Sequence, residues 1–238
     1  MSSFDSRTAM LIHPEGVERL RQSHILVVGL GGVGGYAAEQ LCRAGVGQLT
    51  LVDSDTVSES NINRQIIALR STVGKSKALL FKERFADINP DCQVSVVDEF
   101  LRDQRMVELL QSQPFDCVVD AIDTLSPKVF LLYHCHQLGL PVVSSMGSAG
   151  KTDPTQIKLA DIAQSHTCPL AAMVRKRLHR MGVSDGIQVV FSSEKVAPHA
   201  MTEEISQNKR TTIGTISYIP PIFGCFCAAA AIAMIIDK

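Results

Sequence analysis

Apolar residues fall into short runs through the first 150 positions, and the runs keep a rhythm. "HILVV" (24–28), "QLTLV" (48–52), "QVSVV" (93–97), "DCVVD" (116–120) and "VVSS" (142–145) are four or five residues long and rich in Val, Ile and Leu. Such runs predict strands buried on both faces. Between them apolar positions spread at helical spacing, which predicts helices over 33–44, about 75–87, about 102–111 and about 127–138. Strand–helix alternation predicts an α/β fold, a doubly wound and mostly parallel, Rossmann-like sheet with helices on both faces. In that architecture ligands sit at the carboxyl ends of the strands.

After Gly150 the rhythm changes. "TQIKLADI" and "GIQVVFSS" predict additional strands, a candidate antiparallel pair, with a helix in "CPLAAMVRKRLHRMG" between them. Leu170, Val174, Leu178 and Met181 fall on one face of that helix. Residues 195–212 are polar, turn-rich and aperiodic, and a mobile loop is expected there. The apolar run 219–236 is interrupted near its start by Pro220, Pro221 and Gly224. The helix expected after them has about 12–14 residues, short of the ~20 that span a bilayer. It is therefore read as a buried helix closing the core or a dimer interface.

Composition narrows the classes. Of 238 residues, 45% are apolar and 20% charged, ordinary for a soluble globular protein. The net charge of −1 leaves no global field for nucleic acid, so any such binding must use a local patch. The seven cysteines are odd in number and form no C-x-x-C pair. They read as reduced thiols of a cytosolic protein, without the paired thiolates of a structural zinc site. "MSSFDSRTAM" has neither a basic n-region nor an apolar h-region. A cytoplasmic location is expected.

The candidate chemistry begins where the first strand meets the first helix of the core. Gly29, Gly31, Gly32 and Gly34 form G-x-G-G-x-G, a loop whose backbone N–H groups and helix N-terminus suit phosphate. Asp53 ends the next strand, 24 residues after Gly29, where a carboxylate accepts ribose hydroxyls. These features alone fit NAD and ATP equally. The following stretch carries Asp55, Asn61, Asn63, Arg64, Gln65 and Lys77. Cations at the end of a phosphate crevice suit a triphosphate, since they neutralise charge on the α-phosphate and on departing pyrophosphate. An uncharged nicotinamide gives them no partner. The fourth strand ends in "CVVDAIDT". Asp123, on the loop, is better placed for Mg²⁺ on a nucleotide, and Asp120 for capping the turn.

In order, G-x-G-G-x-G, D-x-D, N-x-N-R-Q, T-V-G-x-x-K and D-x-x-D occupy residues 29–123. This set resembles the adenylating enzymes related to ubiquitin-activating E1, a group that includes the activators of molybdopterin and thiamine biosynthesis. The resemblance implies ATP and Mg²⁺, attack of a carboxylate on the α-phosphate, and loss of pyrophosphate. By position, it implies Asp53 for the ribose, Asn61 and Arg64 for phosphates, Lys77 for the transition state and Asp123 for Mg²⁺. Arg7 lies where relatives have an arginine that reaches into the partner subunit's site. Beyond residue 123, "SRTAMLI", "SSMGSAGKTDPTQI", "CPLAAMVRKRL", "VVFSSE" and "RTTIGTISYIPPIFG" extend a similarity to the tRNA threonylcarbamoyladenosine dehydratases across nearly the whole chain. That family adenylates the carboxylate of the threonylcarbamoyl group on adenosine 37 of ANN-decoding tRNAs, and an internal nitrogen then displaces AMP. No enzyme cysteine is needed for this, which fits the missing C-x-x-C pairs. Cys168 is the one candidate for a carrier-activating thiol, and it reads as structural.

The resemblance implies one domain over 1–238, with an N-terminal arm at 1–23, a nucleotide-binding core at 24–150 and a substrate and dimer extension at 151–238. The implied partners are tRNA and a second copy of the chain, with sulfur-relay proteins a further candidate and DNA excluded. Candidate tRNA contacts are Arg175, Lys176, Arg177 and Arg180 on the helix in 168–182, with His179 beside them, Lys209 and Arg210 in the polar loop, Lys151 at the crevice, and Arg7. Two other readings stay open at this point. One is adenylation of a small carrier protein's C-terminal carboxylate, and the other is a nucleotide-binding scaffold without turnover.

Overall fold

The first strand shows how the sheet is sandwiched. Ile25 and Val27 enter one hydrophobic core and Leu26 and Val28 enter the other, all of them buried. Successive side chains of a strand point to opposite faces, so a continuous apolar run is what a doubly covered strand requires. This computed structural model describes residues 4–203 and 211–237. Its helices are α1 (Ser6–Gln22), α2 (Gly34–Ala44), α3 (Lys77–Ile88), α4 (Asp103–Ser112), α5 (Leu125–Gln137), α6 (Pro169–Arg180) and α7 (Ile219–Ile236). Its strands are β1 (His24–Val28), β2 (Gln48–Val52), β3 (Gln93–Val97), β4 (Cys117–Asp120), β5 (Val142–Ser145), β6 (Ile157–Asp161), β7 (Gln188–Ser192), β8 (Met201–Glu203) and β9 (Thr211–Ile213).

The main sheet has seven strands in the order β3-β2-β1-β4-β5-β7-β6. Its pairs are parallel through β7, and β6 alone runs antiparallel, against β7. Side chains of α2, α3 and α7 fill one core, and those of α4, α5 and α6 fill the other. The order reverses between β1 and β4. That is the switch point at which a crevice opens beyond the carboxyl ends of the strands.

The structure adds to one expectation and corrects two. The arm at 1–23 carries α1. Its interior residue His13 has φ 61°, immediately before Pro14. Proline has no N–H to donate and forces its predecessor out of the helical region, so the helix breaks there and restarts. Val17 and Leu20 then bury one face, and Arg19 donates to the carbonyl of Ile236 at the end of α7. Second, α7 is 18 residues long rather than about a dozen, because both prolines sit in its first turn. The missing N–H groups are unbonded at that position in any helix. The helix is long and apolar enough to cross a membrane, yet half of it is buried inside the fold. It packs on α2 and on β4 and β5. Third, the segment 195–212 is not wholly loop. Pro198–Ala200 makes a helical turn, and β8 pairs antiparallel with β9. The candidates Lys209 and Arg210 lie outside the described residues.

Candidate active site

The four glycines of the loop do different work. Gly29, just after β1, has φ +88°, and a Cβ on it would stand 2.8 Å from the carbonyl oxygen of Ala121. A Cβ on Gly34 would stand 1.8 Å from the carbonyl oxygen of Gly29, so only glycine lets the loop close into α2. Gly32 is buried against Arg64 and Pro220. Gly31 is open, with nothing nearer its Cβ position than the Gln65 amide nitrogen at 3.7 Å. Space for a phosphate therefore lies over Gly31, before the N-terminus of α2.

Asp53, at the end of β2, is fixed by the loop. One carboxylate oxygen accepts the Leu30 N–H at 2.6 Å and the other the Asp55 N–H at 2.8 Å. Each oxygen keeps acceptor capacity for a ribose hydroxyl. Burial pushes the Asp53 carboxyl above its ordinary value, while Lys77 and the two N–H groups pull against that rise.

Lys77 opens α3. Its ammonium is nearly buried and sits 2.8 Å from Asp55, whose side chain is 69% exposed. A cation at a helix N-terminus opposes the helix dipole, so Lys77 is held there by the carboxylates of Asp53 and Asp55 and has capacity for a further anion. Arg64 is anchored at two points. Its guanidinium donates to the Ser60 carbonyl at 2.9 Å and to the Asn63 side-chain oxygen at 2.8 Å. Burial lowers its affinity for the proton, and the carboxylate of Asp123 offsets part of that effect. Arg64, packed against Gly32 of the glycine loop, thus lies within electrostatic reach of Asp123, far from it in sequence.

Asn61 has a role that the motif did not disclose. Its Oδ1 accepts the Ser58 N–H at 3.1 Å and closes the turn that presents Arg64. Only its amide nitrogen is left to face a ligand. The Gln65 Oε1 is buried with no hydrogen-bond partner among the described residues. An orphaned buried amide costs about 1–3 kcal/mol. The amide stands beside the open Gly31 with its nitrogen toward that position, and its oxygen can be satisfied only by a donor such as water or a hydroxyl. The open glycine, the paired cations and the fixed carboxylate together fit a nucleotide with its phosphates.

Asp120 is not in the crevice. It is fully buried, with Oδ1 accepting the Ile122 N–H at 3.0 Å and Oδ2 taking Lys128 and the Ser144 hydroxyl, each at 2.6 Å. Lys128 also donates to Ser144 and to the Ser145 carbonyl. This network locks the ends of β4 and β5 and sets the loop that carries Asp123. The signal for it was a lone lysine inside "SPKVFLL", a position on α5 that its neighbours mark as core.

The residues proposed for substrate scatter. Lys151 is buried and donates to the Glu194 carbonyl, so it supports the segment after β7 rather than lining the crevice. Arg175 is partly buried and locked to Ser165, at 2.8 Å to its carbonyl and 2.6 Å to its hydroxyl. Lys176, Arg177 and Arg180 are exposed on α6. Arg7 is exposed on α1, and no hydrogen bond or ion pair among the described residues involves it. Cys168 is 2% exposed, at the start of α6. A wall that the motifs did not show comes from the chain before α7. The Thr215 carbonyl accepts the Asn63 amide at 3.0 Å, and the Tyr218 hydroxyl donates to the Thr152 carbonyl at 2.9 Å.

A parallel sheet with a phosphate-type glycine loop at its switch point, an acidic strand end and two cations beside it defines an E1-like nucleotide-binding protein. Residues 5–238 match the ThiF family, and the chain belongs to it. The chain is 41% identical to the tRNA threonylcarbamoyladenosine dehydratase of Bacillus subtilis, over 95% of this chain and 89% of that protein. The Haemophilus influenzae protein of the same name is 37% identical over 96% of this chain and 90% of its own length. Among solved structures, the Escherichia coli tRNA N6-threonylcarbamoyladenosine dehydratase in complex with ATP superposes with a TM-score of 0.88 at 37% identity. That match covers 98% of this chain and 93% of the other.

Proposed function

We propose that this chain is an ATP-dependent dehydratase of tRNA, which adenylates the carboxylate of threonylcarbamoyladenosine 37 and cyclises it. The observation that carries the reading is that Arg64 packs against Gly32 of the glycine loop within electrostatic reach of Asp123, with Lys77 held by Asp55 at the start of α3. The names of the relatives supply the substrate. In this reading the loop N–H groups and the amide nitrogens of Gln65 and Asn61 hold phosphates, and Asp53 holds the ribose. Asp123 holds Mg²⁺, which needs only one or two carboxylates when phosphates supply other ligands. Arg64 and Lys77 take up charge as the α-phosphate accepts the substrate carboxylate and pyrophosphate leaves. A nucleophile within the same threonylcarbamoyl group then attacks the acyl carbon, AMP departs, and the nucleoside has lost one water. The burial of Cys168 favours this over a relay through an enzyme thiol. The reading keeps 24–150 as the nucleotide-binding core and 151–238 as the substrate and dimer extension. It pairs two copies of the chain, which Met10 and Leu11, 85% and 81% exposed, support.

The test is mass spectrometry of tRNA nucleosides after incubation with ATP, Mg²⁺ and this protein. The expected product is threonylcarbamoyladenosine less one water, absent with Asp123→Ala or Arg64→Ala. An unchanged nucleoside with folded wild-type protein would refute the proposal.

A further inference from the structure

The face of α6 turned away from the sheet has a composition that packing does not require. The helix buries Ala171, Val174 and Leu178. Lys176, Arg177, His179 and Arg180 stand exposed, and there is no acidic residue anywhere in 169–181. None of Lys176, Arg177 and Arg180 forms an ion pair among the described residues, whereas Arg21, Arg43, Lys77, Arg84, Arg105 and Lys128 all do. Lys176 and Arg180 are four apart and Arg177 and Arg180 three apart, spacings at which like charges repel by roughly 0.2–0.5 kcal/mol per pair. The helix dipole returns a similar amount to cations in a last turn. It explains why the helix tolerates the charges. It does not explain the shape of the surface that they line.

That surface is an outer helix face and one hollow, which share Arg180. The face is formed by Ala172, Arg175, Lys176, His179 and Arg180 of α6. The hollow, of about 430 Å³, lies between α5 and α6, with Arg177, Arg180, Phe130 and Met181 among its walls. The hollow begins at the N-terminal turn of α5, which follows the loop of Asp123. Arg177 donates to the Ser126 hydroxyl at 2.9 Å, and Ser126 is three residues past Asp123. The start of α6 lies at the same edge of the sheet, where the Cys168 sulfur is 3.6 Å from the Cβ position of Gly147, just past β5. A cationic helix face and one hollow thus extend from the start of α5 along α6.

We propose that this face of α6 is a track for RNA phosphates, which leads a strand away from the crevice while one of its nucleosides occupies it. The proposal rests on the tRNA reading above and deepens it. A chain with a net charge of −1 needs such a local concentration of cations to hold a polyanion. Phe130 and Met181 give the hollow an apolar wall against which a base or ribose can lie. Arg175 is excluded from the track, because Ser165 holds it.

The experiment measures binding of purified tRNA carrying threonylcarbamoyladenosine, by fluorescence anisotropy across a KCl series, to the full chain and to Lys176→Gln/Arg180→Gln. Removing two phosphate contacts should weaken binding and reduce the slope of log K against log salt by about 2. The KM for tRNA should rise while kcat, ATP affinity and melting temperature hold. An unchanged affinity and slope in the folded variant overturns the track, including the case in which this face serves an acidic protein instead. Failure of the wild type to dehydrate the nucleoside would refute the function proposed above, yet the binding series would still decide the track.

Discussion

Two lysine–aspartate pairs flank the same crevice and have opposite surroundings. At the mouth, Lys77 lies 2.8 Å from Asp55, with 5% and 69% of the two side chains exposed. At the floor, Lys128 lies 2.6 Å from Asp120, with 0% of either exposed. Every donor of the Lys128 ammonium is used, by Asp120, Ser144 and Ser145. Lys77 has one side-chain partner, and that partner is in contact with water. A charge taken fully out of water must be matched and hydrogen-bonded on all sides, which leaves it nothing to offer a ligand. A charge matched on one side keeps its remaining donors. The floor pair is architecture, and the mouth pair is available for chemistry, although the sequence writes both as Lys and Asp.

The contrast breaks most sharply in stability. Lys128→Met leaves Asp120 buried with no cation, and unfolding free energy by denaturant titration should fall by about 3–5 kcal/mol. The double variant Lys128→Met/Asp120→Asn removes both charges and should recover most of that loss. A fall below about 1 kcal/mol for the single variant would mean that Asp120 finds another partner, and the two pairs would no longer differ in kind.

Lys77→Met keeps the aliphatic stem and removes the charge. Because Asp55 is mostly solvated, stability should change by less than about 1 kcal/mol. Turnover in the nucleoside assay should nevertheless drop by about 10²–10³, the usual scale for losing one preorganised group that stabilises transition-state charge. Wild-type turnover in this variant would remove Lys77 from the chemistry.

A smaller effect is expected at Asp53. In Asp53→Asn an NH₂ group confronts either the Leu30 or the Asp55 N–H, and one ribose acceptor is lost. ATP affinity by calorimetry should weaken by about tenfold or somewhat more, the value of a hydrogen bond to a charged group. Equal affinity would place the ribose elsewhere.

The smallest effect is in the pH profile of the nucleotide-free protein. The folded state holds the Asp53 proton more tightly than the unfolded chain does, because burial outweighs Lys77 and the backbone N–H groups. As pH rises from the ordinary carboxylate value through the raised one, the unfolded chain releases that proton first, and the stability contributed by Asp53 declines. The contribution is therefore greatest in acid. The difference in melting temperature between wild type and Asp53→Asn should follow that direction, and the opposite trend would show that Lys77 outweighs burial.

Much of this was legible in the chain. The strands at 24–28, 48–52, 93–97 and 142–145 have the bounds their apolar runs predict, although 93–97 lies at the sheet edge with no residue fully buried rather than covered on both faces. The glycine loop was legible through Gly34, whose contact with the Gly29 carbonyl admits no side chain. Less legible was anything set by contacts distant in sequence. The motif marks Asn61 as a phosphate ligand but does not show that its oxygen also closes the turn through the Ser58 N–H, which leaves the amide nitrogen for a ligand. Lys151 resembled a crevice cation until its ammonium was found on the Glu194 carbonyl. The length of α7 was underestimated because prolines stop a helix in its interior and are tolerated in its first turn, and the sequence alone did not show which applied.

The sequence by itself determined the layered α/β sheet, the phosphate loop and the residue types of a nucleotide crevice, because these depend on periodicity and on local backbone sterics. Tertiary structure decided which charges remain for work. Asp120 and Asp123 are three residues apart, and the sequence separates them only as a turn cap and a loop carboxylate. One turns into the core and is consumed by Lys128 and Ser144. The other is exposed on the loop, within electrostatic reach of Arg64. The same division runs along α6, where Arg175 is tied to Ser165 and Lys176 and Arg180 face solvent. Side-chain charge is written in the sequence, but its availability depends on desolvation and on partners, and both are set by parts of the chain that meet only when it folds.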